Sequence, residues 1–375
     1  MTGLAIVGTA DVVVNEAPAG TTPFDLMAQA SIAALDDAGL KPRDVDGVMA
    51  AGLETMMPTL SLSEYLGLHP RYSDGTQIGG GAFIAFLNHA RAVLAAGLAH
   101  TILIAYGSTQ RSARGGFASA AERNRYDAPG FGHVPAVAYA LCASRHIHLY
   151  GTTSEQLAGI AVAARRWAAL NPRALRRDPI TVGDVLAARR VAEPFGVLDC
   201  CPATDGAGAI VVTTAERAAD LARRPVRLLG AGEAVSHRTI SQMPDLTTTL
   251  ATASGGRAFA EAGLKPADID VVQLYDAFTI NPILFAEDLG FCAKGEGGAF
   301  LSPDRIGPGG DFPLNTSGGG LAYCHPGMFG IFTITEAVRQ LRGAAGDAQV
   351  AGARTALVHG PGGFMSSQST AILGI

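Results

Sequence analysis

Apolar positions along the chain follow two alternating patterns, one typical of amphipathic helices and the other of short buried strands. The segment "PFDLMAQASIAALDD", which begins at Pro23, has helical spacing, and the strand-like run "VDGVMAAG" follows it. The segment "LATASGGRAFAE", which begins at Leu250, has similar spacing, and the strand-like run "IDVVQLYD" follows it. Helical patterns that alternate with short apolar strands predict an α/β protein.

The connections between these helices and strands are nearly identical, "AGLKPRDVDGV" at 38–48 and "AGLKPADIDVV" at 262–272. Gly39 and Gly263 stand where a glycine ends a helix, and a proline after each prevents its continuation. A second similarity, three glycines followed by a helical and then a buried-strand pattern, begins at Gly79 and again at Gly318. Two similarities in the same order predict duplicated halves, residues 1–222 and 223–375, whose Gly-rich turns meet at a shared cleft.

The composition narrows the classes of function. The chain has 375 residues, of which 48% are hydrophobic, and its formal net charge of −5 argues against nucleic acid as a partner. It lacks an apolar run of about 20 residues, and its first residues lack the basic and apolar regions of a signal peptide. We therefore expect a cytoplasmic protein without a membrane partner. Reduced thiols are expected of five cysteines that form no CxxC pair: Cys142, Cys200, Cys201, Cys292 and Cys324.

A long segment between the repeated units of the first half, about residues 109–198, contains the basic run "RRWAALNPRALRRDP". A run of like charge is usually a solvated helix face. Alternatively, its arginines form a phosphate-binding patch. Charge alone leaves both interpretations open. The arginines concerned are Arg165, Arg166, Arg173, Arg176 and Arg177.

Four motifs resemble the thiolase superfamily in their order and spacing. They are "ATDGAGAIVV" from Ala203, "YDAF" from Tyr275, "NTSGGGLAYCHPG" from Asn315 and "VHGPGGFM" from Val358. The chain is most similar to the sterol-carrier-protein-type thiolases and, within them, to aldolases that cleave steroid side chains attached to coenzyme A. This resemblance implies a five-layered α/β/α/β/α thiolase fold and a homodimer.

The resemblance also implies that the segment at about 109–198 is an inserted loop domain that holds coenzyme A. Because coenzyme A carries phosphates, this favours the phosphate-binding interpretation of the basic run. The predicted contacts are Arg165, Arg166, Arg173 and Arg177. His133, in "GFGHVP", is a candidate for the border of the substrate tunnel.

The chain departs from the thiolase pattern at the catalytic positions. Thiolases carry a nucleophilic cysteine on the turn before the buried helix of the first half, and the matching residue here is Gly80. Glycine cannot form an acyl-enzyme, so we interpret Gly80 as space for a branched β-carbon of the substrate. His359 matches a second catalytic cysteine of many thiolases, and His325 matches the histidine of their His-Pro motif.

Cleavage of a β-hydroxyacyl-CoA by a retro-aldol reaction needs an oxyanion hole and proton transfers, but no covalent acyl intermediate. We expect His325 to hold the thioester oxygen, together with backbone N–H groups of Gly79, Gly80, Gly362 and Gly363.

Tyr275 and Tyr323 are the predicted proton carriers, provided that cations or donors lower their pKa. The sequence does not decide which of them serves the hydroxyl and which the carbon. His359 completes the predicted catalytic set. Asp276 is interpreted as a cap or a supporting group.

The favoured function is a carbon–carbon lyase, a retro-aldolase that acts on a steroid or bile-acid side-chain CoA thioester. Its products are a ketone or aldehyde and propionyl-CoA or acetyl-CoA. One alternative is a thiolase or acyltransferase with a relocated nucleophile, Cys324 first, and another is a non-catalytic acyl-CoA-binding subunit. No covalent cofactor and no metal site are expected, since coenzyme A enters with the substrate. The resemblance further implies a small partner with an OB fold and a zinc ribbon, which gives a heterotetramer.

Overall fold

A computed structural model describes residues 3–113, 135–221 and 223–375. His133 and part of the predicted loop domain lie outside these ranges. The strands are Leu4–Val14 (β1), Gly47–Ala50 (β2), Tyr72–Asp74 (β3), Thr101–Ser108 (β4), Arg190–Ala192 (β5), Phe195–Gly196 (β6), Asp205–Thr214 (β7), Val226–Val235 (β8), Val271–Leu274 (β9), Thr355–Gly362 (β10) and Ser367–Gly374 (β11).

The described helices vary widely in length, and none of them is both long enough and apolar enough to cross a membrane. They are Pro23–Ala38 (α1), Pro58–Leu66 (α2), Ala82–Ala95 (α3), Pro135–Tyr150 (α4), Ser154–Leu170 (α5), Val182–Ala187 (α6), Ala215–Ala218 (α7), Ala251–Ala262 (α8), Ile280–Asp288 (α9), Gly297–Phe300 (α10), Pro303–Ile306 (α11), Gly319–Ala322 (α12) and Gly330–Leu341 (α13). Short 3₁₀ turns include Pro42–Asp44 and Pro266–Asp268.

The main sheet contains one strand order twice. Its nine strands run β3-β2-β4-β7-β1-β8-β11-β10-β9. From the centre outward, both β1-β7-β4-β2 and β8-β11-β10-β9 pair first antiparallel, again antiparallel, and then parallel. The two runs join where β1 pairs with β8. This repeated topology agrees with a duplicated strand–helix unit, whereas the boundary between residues 222 and 223 stays a prediction.

Helices cover both faces of each run of strands. Helix α1 packs on β1, β4 and β7, and α8 packs on β8 and β11. Helices α3 and α13 contact each other and strands of both runs, so they form a shared central layer. Most side chains of these two helices are buried, as expected for helices packed on both sides. The result is the five-layered α/β/α/β/α arrangement of the thiolase fold.

The repeated helix–turn–strand unit is present as the sequence predicts. Helix α1 ends at Gly39, with φ of 70°, and α8 ends at Gly263, with φ of 67°. A 3₁₀ turn that starts with proline follows each helix and leads into β2 or β9. Glycine suits both helix ends because a side chain there would strain this left-handed conformation.

The segment between β4 and β7 packs against the second half of the chain. Its helix α5 contacts α11 and α12. The approach is so close that a Cβ atom on Gly318 would lie 2.8 Å from Cβ of Ala168. The inserted segment therefore covers the second Gly-rich turn, which precedes His325 in the chain.

Candidate active site

A cavity of about 1150 Å³ lies between the Gly-rich turns and the inserted segment. All four glycines predicted to surround the thioester, Gly79, Gly80, Gly362 and Gly363, contribute to its lining. Tyr275 and His325 line the same space. The cavity thus brings together residues from both halves of the chain, and its size suits a substrate larger than a typical drug-sized ligand.

Tyr275 fills the space beside Gly80. A Cβ atom on Gly80 would lie 2.4 Å from Cε2 and 2.9 Å from the phenolic oxygen of Tyr275. Distances this short mean that a side chain at residue 80 requires the ring to move. The interpretation of Gly80 as space for a branched substrate carbon is therefore wrong, because an aromatic ring of the protein occupies that position.

Close backbone packing joins the first Gly-rich turn to the last glycine-rich loop. A Cβ atom on Gly79 would lie 2.7 Å from Cα of Gly362 and 2.7 Å from the backbone nitrogen of Gly363. A Cβ atom on Gly330 would lie 2.1 Å from the carbonyl oxygen of Gly80. Glycine is needed at these positions since no side chain fits between the backbones.

The position of Tyr275 is set by strand pairing and by aromatic neighbours. It follows β9, and its backbone N–H donates to the carbonyl oxygen of His359 at 3.0 Å. Its ring packs edge-to-face against His325, with centroids 5.5 Å apart, and against Phe329 at 5.7 Å. Its hydroxyl group makes a long contact of 3.4 Å, as donor, to the carbonyl oxygen of Gly327.

Burial raises the pKa of Tyr275 well above its ordinary value, and Cys201, Tyr139 and Tyr106 raise it further. The sequence-based expectation of a lowered pKa is therefore wrong for this tyrosine. The phenol stays protonated at neutral pH. A neutral phenol can donate its proton. It can accept a second proton only if it donates its own at the same time.

His325 offers an unused ring nitrogen at the cavity. Its backbone N–H donates to Oγ1 of Thr204 at 2.9 Å, which anchors the turn. Its buried Nε2 atom has no hydrogen-bond partner among the described residues. Burial lowers the pKa of His325 to about 4, so the imidazole is neutral at physiological pH. Because buried polar groups are normally paired, an unpaired Nε2 on a residue that lines the cavity is a candidate partner for a bound ligand.

Asp276 faces the second Gly-rich turn, not the cavity. Its Oδ1 atom accepts from the backbone N–H of Gly320 at 2.6 Å, and Oδ2 has no partner among the described residues. A Cβ atom on Gly319 would lie 2.1 Å from that Oδ2. Burial raises the pKa of Asp276 to about 7. Tyr275 and Asp276 are consecutive in the chain but face different turns. Tyr275 fills the space beside Gly80 of the first Gly-rich turn, and Asp276 fills the space beside Gly319 of the second.

Two of the predicted catalytic residues lie outside the cavity lining. Tyr323 is fully buried, and its hydroxyl group donates to Oδ2 of Asp11 at 2.7 Å. Both ring nitrogens of His359 are paired, Nδ1 with Thr370 at 2.8 Å and Nε2 with Gln368 at 2.9 Å. Burial lowers the pKa of His359 to about 3. The structure gives these two side chains protein partners in place of a substrate.

The thiols near the site are poor nucleophiles. Cys324, the candidate relocated nucleophile, is fully buried and does not line the cavity. Cys200 and Cys201 do line it. Burial raises the pKa of Cys200 to about 12 and raises the pKa values of Cys201 and Cys324 well above the ordinary value. A thiol must ionise to attack a thioester, and these three stay protonated.

Arginines of the inserted segment lie along the cavity. Arg165 and Arg176 belong to the predicted basic patch, and both line the cavity. Burial lowers the pKa of Arg165, and the positive charge of Arg176 lowers it further. Arg189 and Arg190 also line the cavity. Sequence reasoning missed this pair, although the doublet "RR" in the same segment was a signal of the same kind.

The other predicted coenzyme A contacts have protein partners. Arg166 pairs with Asp304 at 2.7 Å, and Nη2 of Arg177 donates to the carbonyl oxygen of Ala169 at 3.3 Å. Arg173 pairs with Asp11 and also donates to its carbonyl oxygen at 2.8 Å. None of these three arginines lines the cavity.

An aromatic wall that sequence reasoning missed borders the cavity. Tyr139 and Phe278, which both line it, stack with centroids 4.6 Å apart at 27°. Phe195 stacks behind Phe278 at 5.5 Å. The three residues are far apart in the chain, and only folding brings them together. Among the residues that the structure describes, no cluster of histidine, cysteine or carboxylate side chains has the arrangement of a metal site.

Comparisons with known proteins give a consistent set of relatives. Residues 232–375 match the family described as thiolase C-terminal domain-like. The 17-hydroxy-3-oxo-4-pregnene-20-carboxyl-CoA lyase of Mycobacterium tuberculosis is 37% identical over 87% of this chain and 88% of its own length. An acetyl-CoA acetyltransferase of Methanothermobacter thermautotrophicus is 36% identical over 90% of this chain and 91% of its own length. The solved Ltp2-ChsH2(DUF35) aldolase covers 100% of this chain and 98% of that chain, with 31% identity and a TM-score of 0.90.

Proposed function

The chain belongs to the thiolase superfamily, and we propose that it cleaves a carbon–carbon bond of a β-hydroxyacyl-CoA thioester by retro-aldol chemistry. The proposed substrate is a steroid or bile-acid side-chain CoA thioester. The name of the Mycobacterium tuberculosis lyase gives a substrate of this kind for that protein. The proposed products are a ketone or aldehyde and propionyl-CoA or acetyl-CoA.

The observation that carries this proposal is the exchange at residues 80 and 275. An acyl transfer through the enzyme needs a nucleophile at the reacting carbonyl. Residue 80 has no side chain, and the ring of Tyr275 fills the adjoining space. The group that faces the substrate here is a protonated phenol, which moves protons and does not form an acyl-enzyme at neutral pH.

In the proposed reaction, Tyr275 relays one proton. Its oxygen accepts the proton of the substrate β-hydroxyl while its own proton passes to the α-carbon. As the oxygen–hydrogen electrons form the new C=O bond, the bond between the α- and β-carbons breaks, and its electrons form the new carbon–hydrogen bond at the α-carbon, with partial enolate charge on the thioester oxygen in the transition state. Tyr275 starts and ends as a neutral phenol, which is consistent with its raised pKa.

His325 is the proposed donor to the thioester oxygen. As a neutral imidazole it carries one N–H group, and its buried Nε2 atom has no hydrogen-bond partner among the described residues. A hydrogen bond to the oxygen that gains charge as the enolate forms would lower the barrier. Backbone N–H groups of Gly79, Gly80, Gly362 and Gly363, which line the same cavity, are proposed to assist.

Two sets of cavity-lining residues suit the two parts of the proposed substrate. Arg165, Arg176, Arg189 and Arg190 line the part formed by the inserted segment, where guanidinium groups can pair with the phosphates of coenzyme A. The stacked rings of Tyr139 and Phe278 give an apolar wall against which a polycyclic acyl group can pack. We propose that coenzyme A enters with the substrate and that no covalent cofactor is needed.

Acyl transfer is the second candidate, because the acetyltransferase relative is nearly as similar to the chain as the lyase. The site does not favour it. The thiols at the cavity are Cys200 and Cys201, and burial keeps both protonated. No cation near them is among the causes of their pKa shifts, whereas reactive cysteines normally have one nearby.

We propose that the chain forms a cytoplasmic homodimer that also binds a small OB-fold and zinc-ribbon protein, which gives a heterotetramer. The solved aldolase that resembles this chain is a complex with ChsH2(DUF35). Exposed apolar side chains just before and within α2, Met56, Met57 and Leu60, are suited to contact another chain.

The test is product analysis with the CoA thioester of a 17-hydroxy steroid side-chain acid. The chain is purified with and without the proposed OB-fold and zinc-ribbon partner, and products are identified by mass spectrometry. We expect a 17-ketosteroid and propionyl-CoA in equal amounts. The Tyr275→Phe variant should bind the thioester but lose cleavage by about 10²-fold or more. Release of an acyl group to free coenzyme A, or binding without turnover in both preparations, would contradict the proposal.

A further inference from the structure

Asp11 carries a buried negative charge at the centre of a polar network away from the cavity. The residue lies on β1, and its side chain is fully inaccessible to solvent. Arg339 approaches both carboxylate oxygens at 3.2–3.3 Å, and Arg173 pairs with Oδ1. Oδ2 also accepts from the hydroxyl groups of Tyr323, at 2.7 Å, and Thr335, at 3.3 Å. Burying a charge is costly unless it is paired in this way.

The carboxyl group is ionised in the folded chain. Burial alone would raise the pKa of Asp11, but Arg339, Arg173 and the hydrogen bond from Tyr323 outweigh burial and hold the pKa below its ordinary value. The network is therefore held by charge-assisted hydrogen bonds, which are the stronger kind.

Two partners of Asp11 belong to segments that lead directly to the cavity. Arg173 is three residues before Arg176, which lines it, and Tyr323 is two residues before His325, which also lines it. These segments are hydrogen-bonded to each other. The backbone N–H of Leu175 donates to the carbonyl oxygen of Tyr323 at 3.1 Å, and that of Arg176 donates to Ala322 at 3.0 Å.

We propose that Asp11 is a positioning residue that fixes the segment of Arg176 and the turn of His325 relative to each other. One anion thereby couples a coenzyme A-binding arginine to the donor at the thioester. This inference rests on the proposed function, since it assigns Arg176 to binding and His325 to chemistry. It gives Tyr323 a supporting place behind the turn, where its hydroxyl contacts Asp11 and no substrate atom.

The test separates the two branches of the network. Arg173→Met should raise the dissociation constant for coenzyme A about tenfold and change kcat little. Tyr323→Phe should lower kcat by about 10–10² and leave the affinity for coenzyme A unchanged. Asp11→Asn should do both. Asp36→Asn, which breaks an exposed ion pair with Lys41, is the matched control and should do neither.

Two readouts keep this test independent of lyase activity. Coenzyme A affinity is measured by calorimetry, and the His325 ring is followed by NMR of ¹⁵N-histidine-labelled protein, with the resonance identified by its loss in His325→Gln. Asp11→Asn and Tyr323→Phe should both shift that resonance, and Arg173→Met should shift it less. A wild type that binds coenzyme A without cleaving would contradict the proposed function while these readouts still decide the role of Asp11.

Several outcomes would overturn the inference. One is a folded Asp11→Asn variant with unchanged coenzyme A affinity and an unshifted His325 resonance. Another is a Tyr323→Phe change that costs as much kcat in the Asp11→Asn background as alone, because Tyr323 would then act independently of Asp11. If Asp11→Asn fails to fold, the single-contact variants Arg173→Met and Tyr323→Phe decide the matter. Unchanged coenzyme A affinity in Arg173→Met together with unchanged kcat in Tyr323→Phe then rejects the inference.

Discussion

The ring of Tyr275 leaves no room for a side chain on Gly80: a Cβ atom on residue 80 would lie 2.4 Å from Cε2 of the ring. The two residues are far apart in the chain and come from different halves of the fold. A thiol at residue 80 and this tyrosine conformation therefore cannot coexist. The proposed preference for proton relay over covalent acyl transfer rests on this pair of residues.

A methyl group on residue 80 should damage the site without unfolding the chain. Gly80→Ala forces the Tyr275 ring to move, with an expected loss of stability of about 1–3 kcal/mol and a loss of cleavage rate of about 10²-fold. Gly256→Ala is the matched control, since a Cβ atom there meets nothing within 4 Å. Thermal unfolding and steady-state kinetics measure both effects. Full activity in Gly80→Ala would mean that the position of the ring does not matter.

Removal of the His325 side chain should affect the chemical step. His325→Ala is expected to lower kcat by about 10²–10³, because the thioester oxygen loses its donor. His325→Gln should retain part of the rate since an amide N–H can donate. His148→Ala, at an exposed position of α4, should behave as wild type. A His325→Ala variant within a few-fold of the wild-type kcat would remove His325 from the mechanism.

Two adjacent arginines should differ in their effect on coenzyme A binding. Arg176 lines the cavity, whereas the guanidinium group of Arg177 donates to the carbonyl oxygen of Ala169. Arg176→Met should raise the dissociation constant for coenzyme A about tenfold, and Arg177→Met should leave it unchanged. Isothermal calorimetry at two salt concentrations measures this difference. Equal losses in both variants would favour a diffuse charge effect of the whole basic run.

Asp276 should make the stability of the chain depend on pH. Burial raises the pKa of Asp276 to about 7, above its ordinary value of 3.8. The folded state then keeps a proton that the unfolded state has released, so this stabilisation is fully present below the lower pKa and is lost as pH rises through the higher one. Asp276→Asn has no such proton.

The stability of Asp276→Asn minus that of wild type should therefore increase by about 2 kcal/mol from about pH 5 to about pH 8. The reason is that only the wild type loses stability as Asp276 releases its proton. Other titrating groups, such as His325 and His359, are common to both proteins and cancel in the difference. Denaturant unfolding at the two pH values measures it. A difference that stays constant with pH would show that Asp276 is ionised in the folded state throughout.

Local signals were sufficient to predict the repeated fold. A glycine after each helix, a proline in each turn and an apolar run afterwards act through a few neighbouring residues. The Gly-rich turns were also found from the repeated three-glycine pattern, and His325 was found because its motif resembles the His-Pro motif of thiolases.

The expectations that were wrong depend on contacts between residues that are far apart in the chain. The sequence shows that residue 80 lacks a side chain, but not that Tyr275 fills its place. It shows that Arg173 is basic, but not that a buried Asp11 binds it. The sign of the Tyr275 pKa shift depends on burial and on neighbours, and both are set by tertiary structure.

The central claim is that cleavage proceeds without an acyl group bound to the protein. Intact-protein mass spectrometry of the chain, quenched during turnover of a β-hydroxyacyl-CoA, tests it most directly. The account predicts that ketone and acyl-CoA products accumulate while the mass of the protein stays that of the free chain. A protein species heavier by the mass of an acyl group, mapped to Cys200, Cys201 or Cys324, would contradict it.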